Sequence, residues 1–221
     1  MEHLTQQKPL KGTVSAGNDE AFYPLLYNWL FLTEKYADAW EYKDVPWIYG
    51  ERAATGLLGA AAWQAEGIAL EEGRAEKHGA AKKGKLGLCD LYFRLGKVDY
   101  VSEVKRMWLR IKSPEKDSGL VKGMAQIQKA LEGEAARAAK KLKGGGAEVP
   151  LGILSVAFDF GLTKPSEENI PSVLNIWSDQ LKQAPEGYAA AAWFFPLHKA
   201  EVLKDKQRCY PGGMVFIKRG A

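Results

Sequence analysis

Cysteine and histidine are scarce in this chain, with two and three residues respectively, and their scarcity excludes several chemistries at once. Cys89 and Cys209 are far apart in sequence and suit neither a disulfide framework nor a paired metal knuckle. His3, His78 and His198 are dispersed, so neither a zinc site nor a Cys–His nucleophile pair has support. No Gly-x-Ser-x-Gly elbow is present. Long apolar runs are missing too. The longest, Leu25–Leu32 and Tyr188–Phe195, fall well short of the roughly 20 residues that span a bilayer. The opening MEHLTQQKPLKG has no apolar stretch of signal-peptide length. A cytoplasmic protein without membrane contact is the expectation. A net charge of +4 decides nothing about partners.

Gly79–Lys85, GAAKKGK, nearly spells a phosphate-binding P-loop, but Leu86 stands where Ser or Thr should meet Mg²⁺. A strand, not a helix, is expected to follow, so the physical basis of an NTP site is gone. Lys82, Lys83 and Lys85 read instead as an exposed basic loop, either solvated charge or a contact for a nucleic-acid backbone. Trp47, Trp63, Trp108, Trp177 and Trp193 read as packing residues, not base-stacking platforms.

What is present is a 221-residue chain with 46% hydrophobic content, enough to bury a core as one domain. Asn18 or Asp19 can cap a helix to about Trp40, and Trp47–Gln64 reads as a second helix carrying Glu51. Gly67–Lys77 suits a strand or short hairpin. The runs LGLCDLYFRL and VDYVSEVKRMWLRI flank Gly96-Lys97, a type II′ hairpin signal. Gly119–Lys143 has helical spacing and ends at a glycine triplet, and VPLGILSVAFDFGL reads as a buried strand. A helix over Asn169–Gln183 and strands over Tyr188–Leu197 and Gly213–Lys218 complete an α/β fold with a mixed, helix-flanked sheet.

With Gly96 and Lys97 as turn residues, Arg94 faces Asp99 as an ordinary ion pair, and counting outward sets Asp90 opposite Glu103. Alternation places Lys105 on the Glu103 face, opposite Leu88. Facing carboxylates need solvent, a proton or a cation. Mg²⁺, with Mn²⁺ as a substitute, would accept Asp90, Glu103 and the Val104 carbonyl as a partial shell completed by water and phosphate. Lys105 beside that metal could orient or help deprotonate the attacking water and neutralise charge on phosphoryl oxygens. Asp159, ending a strand, reads as a turn or cap residue.

Asp90, then twelve residues, then Glu103-Val104-Lys105 resembles the D-x(n)-E-x-K signature of PD-(D/E)XK nucleases. Cys89 stands where the naming proline would be. The resemblance covers about Trp47 to Phe160, and it implies a restriction-endonuclease-like α-β-β-β-α-β core with N- and C-terminal additions. It also implies a glutamate on the preceding helix, here Glu51, and a glutamine on the following one, here Gln126 in a Q-x-x-x-A pattern with Ala130. The activity implied is Mg²⁺-dependent hydrolysis of nucleic acid, with DNA the expected substrate and a homodimer left open. A non-catalytic nucleic-acid- or protein-binding module on the same scaffold is the alternative.

Overall fold

The computed structural model describes residues 12–15, 19–77, 86–110, 117–143, 148–160, 170–182, 188–196 and 209–220. The strands are β1 (Gly12–Ser15), β2 (Ile68–Glu71), β3 (Arg74–Lys77), β4 (Leu86–Leu88), β5 (Leu91–Leu95), β6 (Val98–Arg110), β7 (Leu142–Lys143), β8 (Val149–Asp159), β9 (Ala190–Phe194) and β10 (Gly213–Arg219). The helices are α1 (Tyr23–Ala39), α2 (Glu51–Gln64), α3 (Asp117–Ala130), α4 (Ala136–Lys141) and α5 (Ile170–Lys182), with a π-helical turn over Leu131–Ala135 joining α3 to α4.

Seven strands form one sheet in the order β1-β9-β10-β8-β6-β5-β2, and β4-β3-β7 form a small second sheet. Among the described residues only the β6–β8 ladder is parallel, made by the crossover through α3 and α4, so the sheet is mixed as expected. Strands from both ends of the chain extend that same sheet. β1 pairs with β9, β9 with β10, and β10 with β8.

Helices cover both faces, which explains the nearly unbroken apolar text of β8. Its Leu151 and Ile153 join the core under α1 and α2, while Leu154, Val156 and Phe158 join the core under α3 and α5. The second core is closed by Trp177, edge-on to Phe158 with ring centroids 5.0 Å apart. Among the described residues no helix is long and apolar enough to cross a membrane.

Several sequence expectations are corrected. Asp19 does not cap a helix with its side chain; Arg219 Nε donates to its carboxylate at 2.7 Å, a charge-assisted bond stronger than a neutral cap. Gly67–Lys77 yields two strands, but β2 pairs with β5 and β3 with β4 and β7, so they lie in different sheets. The run LGLCDLYFRL is not one strand either. It breaks at Cys89 and Asp90, where Cys89 N donates to Gly73 O and Glu72 N to Asp90 O. Leu88 therefore pairs with Arg74, not Lys105. Of the five tryptophans read as packing, Trp47, Trp177 and Trp193 are buried, but Trp63 and Trp108 are 59% and 42% exposed. Trp63 lies on the outer side of α2, and Trp108 near the end of β6 is only partly covered by Tyr210, which aromatic composition alone does not disclose.

The π-helical turn lies directly on β8. A Cβ on Gly152 would stand 2.0 Å from the Ala135 carbonyl oxygen, and a backbone atom cannot rotate away. Gly152→Ala should therefore cost about 3 kcal/mol, at the upper end for overpacking. In urea titrations this would appear as a lower midpoint with an unchanged slope. A midpoint equal to wild type would mean that this approach is not a close one.

Candidate active site

The hairpin register is the expected one. β5 and β6 pair Leu95 with Val98, Arg94 with Asp99, and Leu91 with Ser102, around a turn in which Gly96 has φ +57°. Lys97 keeps an ordinary negative φ, the combination that a type II′ turn requires. Arg94 Nε and Nη2 bind Asp99 Oδ1 and Oδ2, each at 2.6 Å. Asp99 is thus a structural ion pair. Asp159, 1% exposed, is bridged by Arg110 at 3.3 Å.

The ladder to β5 ends at Ser102, whereas β6 continues to Arg110. Among the described residues the side of β6 facing β5 is therefore an open edge from Glu103 onward, and the candidate residues meet there. Asp90, released from the strand by the break beside Cys89, turns its carboxylate to the edge and accepts the Val104 N–H at 2.8 Å. It replaces the backbone acceptor that a longer β5 would supply. Lys105 Nζ donates to the Val104 carbonyl at 2.9 Å and to Glu51 Oε1 at 3.0 Å. It also lies 3.7 Å from Asp90 Oδ2 and 3.9 Å from Glu103 Oε2. Glu51 comes from the first turn of α2, which packs over the same edge.

Four sequence-nominated groups thus converge on one ammonium. Burial pulls the Lys105 pKa down, but the hydrogen bond to Glu51 and the charges of Glu51, Asp90 and Glu103 more than offset it, leaving it raised. Lys105 in this arrangement is a cation and a donor, not a proton acceptor. The cluster holds three carboxylates and one ammonium.

Beside it opens a cleft of about 240 Å³ lined by Glu51, Arg52, Thr55, Glu71, Glu72 and Asp90. Glu71 and Glu72 did not stand out in the sequence. Their only local signal is an acidic pair before Gly73, and Glu72 holds a left-handed φ of 54° at the point where the chain leaves one sheet for the other. Arg52 Nη2 reaches Glu72 at 3.4 Å.

Among the described residues no group of three or more His, Cys, Asp or Glu side chains is placed to hold a metal ion. Mg²⁺ does not need such a group, because it typically binds through one or two carboxylates and keeps several waters. Asp90 and Glu103 beside the Val104 carbonyl supply hard oxygen donors of that kind, so the residues fit a magnesium-type ion. Cys89 is buried and its thiol pKa is raised, first by burial and further by Glu103 and Asp90 against two backbone hydrogen bonds. It is no nucleophile.

Gln126 stands apart. It is exposed on α3, because Ile127 and Leu131 take the inward positions of that face. Lys82, Lys83 and Lys85 lie outside the described residues; Lys77 of β3 and Leu86 of β4 bracket their loop. No protein family, curated protein or solved structure matches the chain.

Proposed function

We propose that the chain is a Mg²⁺-dependent nuclease of the PD-(D/E)XK kind that hydrolyses phosphodiester bonds in DNA. The observation that carries this reading is the convergence of Glu51, Asp90 and Glu103 on Lys105 at 3.0, 3.7 and 3.9 Å, beside an acidic cleft at an open strand edge. An ion-pair network needs one carboxylate per ammonium; three leave an excess of negative charge that a divalent cation would neutralise. The element order also supports it. With β3, β4 and β7 set apart in the small sheet, α2, β2, β5, β6, the α3–α4 crossover and β8 follow the α-β-β-β-α-β sequence that the resemblance implies.

Asp90, Glu103 and the Val104 carbonyl would hold the metal. When bound, it supplies Lewis acidity toward the phosphate and a coordinated water of lowered pKa. Asp90 keeps Val104 N–H satisfied, which fixes the adjacent carbonyl toward the edge. Glu51 holds Lys105 from the opposite side. Lys105 then orients the attacking water and places positive charge where it builds on the phosphoryl oxygens. The acidic cleft alone would repel a polyanion, so bound metal should strengthen the DNA binding that the basic groups supply without it.

Purified protein incubated with DNA should cleave it with Mg²⁺ or Mn²⁺ and not with chelator. DNA bound but left intact under every metal would assign the fold to the non-catalytic role instead.

The basic loop supplies a separate expectation. Exchanging Lys82 and Lys83 for glutamate should weaken DNA binding across sequences and reduce the slope of log affinity against log salt by about 2, since each phosphate contact releases a counterion. A slope equal to wild type would return these lysines to solvated surface.

A further inference from the structure

We propose that Arg106 and Trp108 form a nucleotide subsite beside the cleavage centre, with the guanidinium taking a phosphate and the indole stacking an unpaired base. The proposal rests on the nuclease reading and narrows its substrate to DNA carrying unpaired nucleotides near the cut. Arg106 follows Lys105 directly on β6 and Trp108 two residues after it, along the stretch that β5 leaves open. Alternation puts them on the face of Val104, whose side chain joins the core under α1 and α2. Glu51 reaches the edge from that same side.

Arg106 is half-buried, and its guanidinium meets a carbonyl and an aromatic ring. Nη2 donates to Trp47 O at 2.9 Å, and the guanidinium carbon lies 4.0 Å from the centre of the Trp108 ring. Among the described residues no carboxylate pairs with it, in contrast to Arg94, Arg110 and Arg219, which all have one. A desolvated cation without a counter-charge is costly unless an anion completes it.

Trp108 leans on Tyr210, ring centroids 5.4 Å apart, yet stays 42% exposed. A plug that merely closed the end of the core would bury its indole, as Trp177 does at 0%. Three residues of strand set Trp108 about 10 Å along β6 from Lys105, a span that a short stretch of one nucleic-acid strand can bridge. A phosphate at the centre and a base on Trp108 can therefore belong to one strand. Stacking of this kind is indifferent to sequence but needs a base free of its partner.

Fluorescence anisotropy in chelator, with labelled blunt duplex and with the same duplex bearing a short overhang of either polarity, tests this without cleavage. Wild type should prefer an overhang by about tenfold, the effect of one stacked base. Trp108→Phe should keep the preference and Trp108→Leu should lose it, with both variants melting near wild type. Arg106→Gln should weaken both forms and lower the salt slope by about 1. A preference that survives Trp108→Leu, or a wild type that binds blunt and overhanging DNA equally, overturns the subsite and leaves the nuclease reading standing. A wild type that binds no DNA in chelator and cleaves none with Mg²⁺ removes both.

Discussion

Replacing Glu103 with alanine should lower the single-turnover rate of Mg²⁺-dependent DNA cleavage by about a hundredfold or more, with binding in chelator little changed. Glu103 sits on β6 at the point where the β5 ladder has ended, its side chain 12% exposed and its Oε2 3.9 Å from Lys105. Residues that only orient a metal ligand are worth about 10–100-fold, so a direct ligand should lie at or above the top of that range. The loss should reside in the chemical step, because the groups that would hold DNA, the basic loop and Arg106, are untouched. Folding should survive, since Lys105 keeps Glu51 at 3.0 Å and Asp90 at 3.7 Å. Glu103→Gln should behave almost identically in rate, because an amide oxygen is a poor substitute for a carboxylate at a hard cation. Glu51→Gln should cost less, about tenfold, since Glu51 acts through Lys105. Cleavage by Glu103→Ala at the wild-type rate would remove the metal site from the mechanism.

The register of the hairpin could be read so directly because a two-residue turn fixes everything that follows it. Gly96 supplies the positive φ, Lys97 does not need one, and the register then runs outward without slack to Leu91 and Ser102. Period-two counting past that pair also nominated Asp90 and Glu103, which both approach Lys105 Nζ, at 3.7 and 3.9 Å. What counting could not show is that the strand stops there. Asp90 is a poor strand former but Cys89 is not, and the chain leaves the sheet here because Gly73 and Glu72, well upstream, offer their backbone groups. That departure does more than interrupt β5. It frees Asp90 to cap Val104 and leaves the edge open beside the candidate residues, so the sequence-level expectation failed at a candidate site position.

The exposed face of Trp108 was hidden for a different reason. Alternation tells which residues share a face of β6, but not that the partner strand ends six residues earlier, nor that Tyr210, a hundred residues away, would cover only part of the ring. The pairing of β1 with β9 is equally non-local. Helices α2 and α5 and strands β8, β9 and β10 needed only local periodicity and were legible.

Removing one charge from the cluster should change how the fold responds to metal more than it changes the fold itself. Asp90→Asn keeps an amide oxygen able to accept the Val104 N–H that Asp90 accepts at 2.8 Å, so the edge stays capped. It removes an attraction to Lys105 at 3.7 Å, a half-exposed pair worth at most about 1 kcal/mol. It also relieves repulsion from Glu51 and Glu103, taking the cluster from three carboxylates against one ammonium to two against one. Without metal these terms oppose, and the excess of like charge sets the sign: the variant should be slightly more stable than wild type, by up to about 1 kcal/mol. With Mn²⁺ at about a hundred times its dissociation constant, wild type should gain about 2.7 kcal/mol by preferential binding to the folded state. For a chain of this length that is roughly 5–10 °C in melting temperature. The variant, short of a ligand, should gain less than a third of that shift. The two differences have opposite signs, so no single change in folding can mimic both. A purely structural cluster centred on Lys105 makes the contrary forecast: the variant loses a favourable partner and melts lower, and Mn²⁺ at matched ionic strength shifts neither protein. Melts of both proteins, with chelator and with Mn²⁺, decide between them, and a lower-melting apo variant together with an unresponsive wild type would show that the carboxylates serve Lys105 alone.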